Sequence, residues 1–353
     1  MAKSKKSGFL KIVFAVIVIS LAGASIVAYD YYKKIYKPNI KLDSGQDHTF
    51  IYIPTGADFS TVVKILSEEK LLSNRSSFEW LAQMKGYTTN VKPGRYRIKN
   101  NMNNNELINH LKAGLQEPIK LTLNNIRTKK QLIERVSQVL EANADDLTRL
   151  MNDNKYLNAN FGFDSITITT MFIPNTYEFY WNTSAEDFLK RMAVEYKKFW
   201  TDDRKSKAKA LNLSQSEVSI LASIVQGEQQ LRKDERPTIA GLYLNRLRKG
   251  MRLESDPTIV FAHGDFSIKR VYNVHKEIDS PYNTYKNTGL PPGPILIPEI
   301  NSIDAVLNAS KHDYIFMCAK EDFSGYHNFA RTLDEHNINA ARYRKELNRR
   351  GIK

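Results

Sequence analysis

The sequence predicts an α+β protein with a membrane anchor, in which a small β-α-α-β module precedes a mainly helical domain. Three observations predict this organisation. An uncharged apolar run occupies residues 12–29, strand and helix signals follow one another between 48 and 124, and helical periodicity dominates from Ser184 onward. The chain has 353 residues, 42% of them apolar, which is enough to bury a substantial core.

Composition narrows the classes of function. The chain has 52 basic and 38 acidic residues, and its net charge of +14 suits a polyanionic partner such as nucleic acid, anionic lipid or an acidic wall polymer. Cys318 is the single cysteine, so the chain has no intramolecular disulfide and no CxxC redox site. The histidines lack HExxH or comparable spacing, and no P-loop, G-x-S-x-G or dinucleotide fingerprint occurs. We therefore expect neither a metal nor a cofactor.

The apolar run at 12–29 has the length of a membrane span, since it would rise about 27 Å as a helix. A signal peptide cleaved after the small residues at 22–24 is the alternative. The anchor is favoured because apolar residues continue past that site and tyrosines follow at 29, 31 and 32, as at a membrane interface.

The lysine-rich tail at 1–11 predicts that this end stays in the cytoplasm. We therefore expect a single-pass protein of the inner, cytoplasmic membrane, with the remaining chain outside the cytoplasm. Nucleic acid is absent there, so the basic surface favours a membrane surface or an anionic wall polymer as partner.

Four further segments are predicted in chain order. Residues 30–47 are polar and aperiodic, as in a linker, and the β-α-α-β module at 48–124 is followed by a connecting α/β segment at 125–170 and a helical domain at 171–353. Within the module, strands are predicted at 48–54, 94–98 and 118–123, and helices from Asp58 onward, at 78–84 and at 103–111. Later helices are predicted at 129–140, 145–151, 184–200, 214–230, 236–249, 301–310 and 333–349. The prolines of 289–298 favour a rigid extended loop.

One helix places a carboxylate where it can do chemistry. Ser214 and Glu217 form a capping-box pattern, and an apolar stripe follows at 218, 221, 222 and 225. Glu228 then falls on the edge of the buried face and near the C-terminal end, where the helix dipole disfavours negative charge. Both effects raise the pKa of a carboxyl group, so Glu228 is a candidate general acid. The alternative is a solvated glutamate at a helix end.

Several further motifs follow one another in order along the chain. They are FIPNTY at 172–177, ASIVQGE at 222–228, LNRLRKGMRL at 244–253, SDPT at 255–258, SPYNTY at 280–285 and GLPPGPI at 289–295. Together they resemble the endolytic murein transglycosylases of the YceG-like group. The resemblance implies a LysM-like module at 48–124 and a lytic-transglycosylase catalytic domain at 171–353.

In this family the catalytic acid matches Glu228, although the surroundings differ. Gln226 stands where the family usually has glutamate, Gln229 where it has Thr or Ser, and Glu254 where glutamine is common. These departures imply an altered hydrogen-bonding shell around the acid and an additional negative charge nearby. His327 falls in a loose match to a G-H-V-F element.

The resemblance also implies a mechanism. One glutamate protonates the oxygen of the MurNAc-GlcNAc β-1,4 bond and then accepts a proton from the MurNAc 6-hydroxyl, which closes a 1,6-anhydro ring without consuming water. The implied role is termination of nascent glycan strands, with peptidoglycan as substrate and peptidoglycan synthases as candidate partners. The candidate substrate-binding residues are Asn245, Ser255, Asp256, Tyr282, Asn283, Thr284 and Tyr285.

Simpler interpretations exist for several of these residues. Asn245 could lie on an exposed helix face, the two tyrosines could belong to a packed core, and Asp256 could begin a turn. Two other functions compete with the enzyme. An inactive, membrane-tethered scaffold that binds peptidoglycan is one, and a nucleic-acid binder, suggested by the basic C-terminus, is the other.

Overall fold

A computed structural model describes residues 3–351, and the chain divides into two compact units. The first contains the residues up to 119 together with 178–183, and the second contains 120–177 and the residues from 184 onward. The sequence predicts a division between 160 and 180, whereas the segment at 125–170 belongs to the same unit as the helices after 184. Of the predicted segments, residues 1–2 of the tail and 352–353 of the last domain lie outside the described residues.

The first unit contains the predicted β-α-α-β order. Its elements are α1 (Lys3–Tyr36), β1 (His48–Ile53), α2 (Phe59–Glu68), α3 (Arg75–Met84), β2 (Gly94–Lys99) and α4 (Asn104–Ala113). The strands β1 and β2 pair antiparallel, from His48 opposite Lys99 to Ile53 opposite Gly94. The Asp58 side chain caps α2 by accepting from the Thr61 amide, which explains where this helix begins.

Helix α1 includes the predicted membrane span. Its segment Gly8–Tyr36 is long and apolar enough to cross a membrane, and its most apolar part has no buried residues. The helix is longer than the predicted span on both sides, since it begins within the predicted tail and ends within the predicted linker.

The predicted linker at 30–47 differs from the structure. After α1 ends at Tyr36, Ile40 and Leu42 are buried in the core of the first unit, and the amides of Asn39 and Ile40 both donate to the Met102 carbonyl. The buried Asn39 side chain also donates to Asn104 at 2.7 Å. An aperiodic sequence does not reveal such burial, because single side chains enter the core without forming a helix or strand.

The second unit is mainly helical. Most residues of β3 (Ile119–Leu123) and β4 (Asn175–Phe179), which pair with each other, belong to it, as do the paired strands β5 (Phe316–Ala319) and β6 (His327–Ala330). Its helices are α5 (Lys129–Ser137), α6 (Ala144–Asn152), α7 (Asn154–Phe161), α8 (Ala185–Phe199), α9 (Asp202–Ala210), α10 (Gln215–Glu228), α11 (Arg236–Arg248), α12 (Asp256–His263), α13 (Ile300–Leu307) and α14 (Leu333–Arg349).

The mixed α+β class is confirmed, and so are the long helices α8, α10, α11 and α14, whose predicted bounds are correct to within two residues. Sequence patterns miss α7, α9 and α12. The last of these begins at Asp256, where only a turn was considered.

Helix α10 lies at the centre of the second unit. It begins with the predicted capping box, in which Ser214 Oγ accepts from the Glu217 amide and the Glu217 carboxylate accepts from the Ser214 amide. All eight residues from 218 to 225 are buried, so the helix is enclosed on every side rather than along one stripe. It packs against α11, α12 and α13. Glu228, the last residue of the helix, therefore lies at the edge of the core.

Candidate active site

The carboxyl group of Glu228 is bound by two hydroxyl groups. Tyr243 Oη donates to Glu228 Oε1 at 2.7 Å, and Ser255 Oγ donates to the same oxygen at 2.5 Å. Tyr243 comes from the middle of α11, and Ser255 immediately precedes α12. Because both donors engage Oε1, the second oxygen, Oε2, is the one that can carry a proton.

Ser255 occupies the N-cap position of α12 but does not cap this helix. A serine at a helix N-cap normally accepts a hydrogen bond from the first turn, but Ser255 makes no such bond to α12 and donates to Glu228 instead. Its backbone amide donates to Thr284 Oγ1 at 3.0 Å, and the preceding residue, Glu254, has a left-handed φ of 54°. The 280–285 segment therefore fixes the position of the Ser255 hydroxyl.

Gly227 permits the close approach that this geometry needs. A Cβ atom at this position would lie 2.8 Å from Pro257 Cβ and 3.3 Å from Ile295 Cδ1. Helix α10 therefore contacts α12 through a residue without a side chain. The absence of a side chain at this position is therefore required by the packing.

Two opposing influences act on the acid. Burial raises the pKa of Glu228, Asp256 raises it further, and the hydrogen bonds from Ser255 and Tyr243, with the nearby His327, lower it. Burial dominates, so the pKa of Glu228 lies above the ordinary value of a glutamate. Burial and the neighbouring Glu228 raise the pKa of Tyr243 well above its usual range, so this hydroxyl remains a donor.

Glu228 lies where three cavities meet. The largest, of about 700 Å³, extends towards Phe261, Phe266 and Tyr343. The second, of about 420 Å³, is lined by Tyr285 and Phe316, among others, and the third, of about 490 Å³, by Phe323 and Tyr326. The carboxyl group thus lies within an extended cleft with room on more than one side.

The predicted substrate-binding residues fall into two groups. Ser255 touches the acid, and Asp256 and Tyr285 line the cleft, joined by a 2.7 Å hydrogen bond from Tyr285 Oη to Asp256 Oδ1. The others lie behind this surface.

Asn245 is buried and donates to the carbonyls of His312 and Tyr314, which differs from the exposed helix face considered for it. Asn283 is buried and donates to the carbonyls of Lys276 and Ile278, which holds the turn before Tyr285. These two asparagines contact backbone rather than the cleft.

Thr284 and Tyr282 also lie behind the cleft surface. Thr284 is buried and bonds to Thr258 Oγ1 at 2.8 Å. The Tyr282 ring packs against Phe261, with ring centroids 4.7 Å apart. Phe261 itself lines the largest cavity, so Tyr282 supports its wall.

The departures from the family pattern do not touch the acid. Gln226 Oε1 accepts from the Glu299 amide at 2.6 Å and from Ser302 Oγ at 3.0 Å, so it binds the start of α13. Both hydrogen bonds to Glu228 come from other residues. Glu254 does lie beside the cleft, and its carboxylate is paired with Arg246 at 3.0 Å.

A second polar pair, which no sequence pattern predicts as a pair, lies beside the acid. His327 Nδ1 lies 2.7 Å from Glu235 Oε2, and the His327 amide donates to Glu235 Oε1 at 2.8 Å. His327 lines two of the three cavities together with Glu228. The loose G-H-V-F match was the one available signal, and Glu235 and Tyr243 had none, because their partners are distant in sequence. Within residues 3–351, no cluster of three or more His, Cys, Asp or Glu residues could hold a metal ion.

Comparison with known proteins identifies the family of this chain. The YceG-like family matches residues 51–342, and the chain belongs to that family. A Bacillus subtilis (strain 168) protein named endolytic murein transglycosylase is 29% identical over 90% of both chains. A Streptococcus pneumoniae (strain D39) protein of the same name is 26% identical over 92% of this chain and 64% of its own. A solved yceG-like protein from Listeria monocytogenes has a TM-score of 0.55 and 27% identity, and the match covers 83% of this chain and 98% of the other.

The variant Gly227→Ala tests the packing between α10 and α12. Alanine in a helix normally stabilises it by about 1 kcal/mol relative to glycine. Here its Cβ would meet rigid Pro257, so we expect a net loss of about 1–3 kcal/mol in the free energy of unfolding. Urea denaturation of the full-length protein in detergent measures this. Gly23→Ala in α1, where nothing lies within 4 Å, is the matched control, and a stabilised Gly227→Ala protein would contradict the packing argument.

The variant Glu228→Gln tests the electrostatic state of the acid. An amide keeps the acceptor for Tyr243 and Ser255 but cannot ionise. The folded pKa of Glu228 lies above the usual 4.5, so the wild type loses stability as the pH rises from the unfolded to the folded pKa. We therefore expect the variant to melt above the wild type at neutral pH, and the difference to vanish below about pH 4.

Thermal unfolding of both proteins across this pH range measures the effect. Glu186→Gln on α8, a change at an exposed glutamate, is the control and should show no such pH-dependent gain. A Glu228→Gln protein that melts below the wild type at neutral pH would show that the carboxylate is stabilised rather than strained.

Proposed function

We propose that the protein is an endolytic peptidoglycan lytic transglycosylase that cleaves the MurNAc-GlcNAc β-1,4 bond and leaves 1,6-anhydro-MurNAc ends. The observation that carries this proposal is the carboxyl of Glu228, whose pKa burial raises and which lies where three cavities meet. The names of the Bacillus and Streptococcus relatives support the same activity.

In the first step Glu228 is the general acid. A proton on Oε2 passes to the glycosidic oxygen, and the bond from that oxygen to the MurNAc anomeric carbon breaks. The resulting carboxylate is stabilised by Tyr243 and Ser255, whose hydroxyls already donate to Oε1. These donors lower the pKa of the acid and so assist the departure of the proton.

In the second step Glu228 is the general base. The MurNAc 6-hydroxyl oxygen bonds to the anomeric carbon, and its proton returns to the carboxylate. The enzyme ends as it began, and no water is consumed. The nucleophile belongs to the same sugar ring, so its effective concentration is high and a second catalytic carboxylate is not required.

The remaining predicted site residues take two roles in this proposal. Asp256 and Tyr285 contact sugar hydroxyls from the cleft wall, and Ser255 orients the acid. Asn245, Asn283, Thr284 and Tyr282 act indirectly, because they hold the backbone and the aromatic wall that position those groups.

The site and the first unit together suggest how the protein works on a polymer. A cleft that continues past Glu228 in more than one direction favours cleavage within a strand. The antiparallel β-α-α-β order supports a LysM-like module at 48–124 that holds glycan. Helix α1 is proposed to anchor the protein in the cytoplasmic membrane, with the catalytic domain at 171–353 outside. There it would terminate nascent strands close to peptidoglycan synthases.

Hydrolysis is the second candidate because Asp256 shares two cavities with Glu228. A carboxylate in that position could activate water as a base, as in inverting glycosidases. Its hydrogen bond from Tyr285 favours a binding role instead, since it occupies one of the carboxylate oxygens.

Digestion of purified peptidoglycan by the full-length protein in detergent tests both candidates. We expect 1,6-anhydro ends from the wild type, and a loss of about 10²- to 10⁴-fold in rate for Glu228→Gln, because that is the usual contribution of a general acid. Mass spectrometry of the fragments identifies the ends. Glu186→Gln on α8 serves as control and should retain the wild-type rate.

Each alternative result points to another function. Reducing ends that disappear in Asp256→Asn would establish hydrolysis. Binding of peptidoglycan without cleavage, equal in the wild type and Glu228→Gln, would establish a scaffold.

A further inference from the structure

One arm of the cleft is lined by cations that have no carboxylate partner. Arg127, Lys269 and Arg270 all line the 700 Å³ cavity beside Glu228. In the part of the chain that the structure describes, none of the three takes part in an ion pair, whereas Arg246 nearby is paired with Glu254. A group of unpaired cations in a concave site favours the binding of an anionic ligand.

Two of these cations lie against aromatic rings. The Arg127 guanidinium lies 5.0 Å from the centre of the Phe266 ring, and the carbonyl of the preceding residue, Ile126, accepts from the Ile297 amide at 2.9 Å. The Arg270 guanidinium lies 5.4 Å from the centre of the Tyr272 ring. Stacking of this kind reduces the freedom that a guanidinium would lose on binding a carboxylate.

The carboxylates on the lining of this arm are fewer than its three cations. Asp256 is one of two acids there, and it accepts a hydrogen bond from Tyr285. Glu228 is the remaining acid on the lining, and burial favours its neutral form. The arm is therefore positive, unlike the 420 Å³ cavity, where Glu254 balances Arg246.

Most of the remaining lining is apolar, and it includes Val260, Phe261, Ile268 and Val271. Sugars are bound mainly through hydroxyl groups, whereas a surface that combines apolar and cationic groups suits a peptide with free carboxylates. In intact peptidoglycan the sugar chain is uncharged, because the lactyl carboxyl group of each muramic acid residue forms an amide bond to the short peptide. The negative charge therefore belongs to that peptide.

We propose that this arm is a subsite for the stem peptide of peptidoglycan, in which Arg127, Lys269 and Arg270 bind the peptide carboxylates. The inference rests on the proposed function, since it takes peptidoglycan as substrate. It adds that the protein distinguishes peptide-bearing strands from strands whose peptides have been removed.

The test compares the wild type with a triple variant, Arg127→Gln, Lys269→Gln and Arg270→Gln, on two substrates. One is intact glycan strands, and the other is the same strands after an amidase has removed the peptides and the lactyl carboxyl groups that this frees have been converted to amides. We expect the triple variant to raise KM for intact strands by about tenfold, as expected for a few partly exposed charged hydrogen bonds, with kcat nearly unchanged. On stripped strands its KM should equal that of the wild type.

A matched control carries the same change in charge elsewhere. Lys197→Gln in α8 and Lys205→Gln and Lys209→Gln in α9 alter three exposed lysines outside the three cavities around Glu228. This protein should behave as the wild type on both substrates. Equal effects of the two triple variants would mean that net charge, rather than this subsite, governs binding.

Binding is measured separately from cleavage so that the two proposals can fail independently. In the Glu228→Gln background, affinity for intact and stripped strands is compared with and without the triple variant. If the wild type cleaves neither substrate, the proposed function fails, while a selective loss of affinity for intact strands still supports the subsite.

Three results would overturn the subsite. The first is equal affinity of the wild type for intact and stripped strands, and the second is an equal loss of affinity for both substrates in the triple variant. The third is competition by a phosphodiester polymer in the wild type that is absent in the triple variant. The last result would assign the cations to an anionic wall polymer instead.

Discussion

The site depends on one constraint, which is that a carboxyl group ends a helix enclosed by protein on every side. Residues 218–225 of α10 are all buried, so the helix cannot turn Glu228 away into solvent without disturbing the core. Burial favours the protonated acid, while the two hydroxyls on Oε1 favour the carboxylate. An acid that must first lose and then regain a proton needs both influences, because either one alone would hold it in a single state.

The second donor reaches Glu228 only through an arrangement that involves three separate parts of the chain. Gly227 lets Pro257 approach α10, the left-handed Glu254 redirects the chain before α12, and Thr284 holds the Ser255 amide. Each of these features has a local drawback, since Ser255 gives up its capping bond and Glu254 adopts a conformation that glycine favours. Such features are retained where function sets the geometry, and here they converge on a single oxygen atom.

The sequence predicts single helices and strands, but it does not predict the contacts between residues that are far apart in the chain. The Ser214–Glu217 capping box and the apolar stripe of α10 are local signals, and both the start of the helix and the burial of that stripe follow from them. Tyr243 lies 15 residues from Glu228 and shows no motif of its own, so its hydrogen bond to the acid is visible only in three dimensions. Asn245 illustrates the opposite error, because a polar residue near the end of a helix resembles a surface group although it binds two backbone carbonyls.

The contacts of Gln229 show what this residue does in the structure. Gln229 Nε2 donates to Glu235 Oε2 at 2.7 Å and to the Gly325 carbonyl at 2.9 Å, and its Oε1 accepts from the Leu231 and Arg232 amides. Glu235 in turn binds His327, which faces the cavities that contain Glu228.

The side chain of serine or threonine is too short to span the same partners, so glutamine at this position ties the turn after α10 to β6. Gln229 therefore helps to hold the wall that carries His327, through its hydrogen bond to Glu235. The two hydrogen bonds to the acid come from Tyr243 and Ser255, so the contacts of Gln229 are separate from those that act directly on the Glu228 carboxyl group.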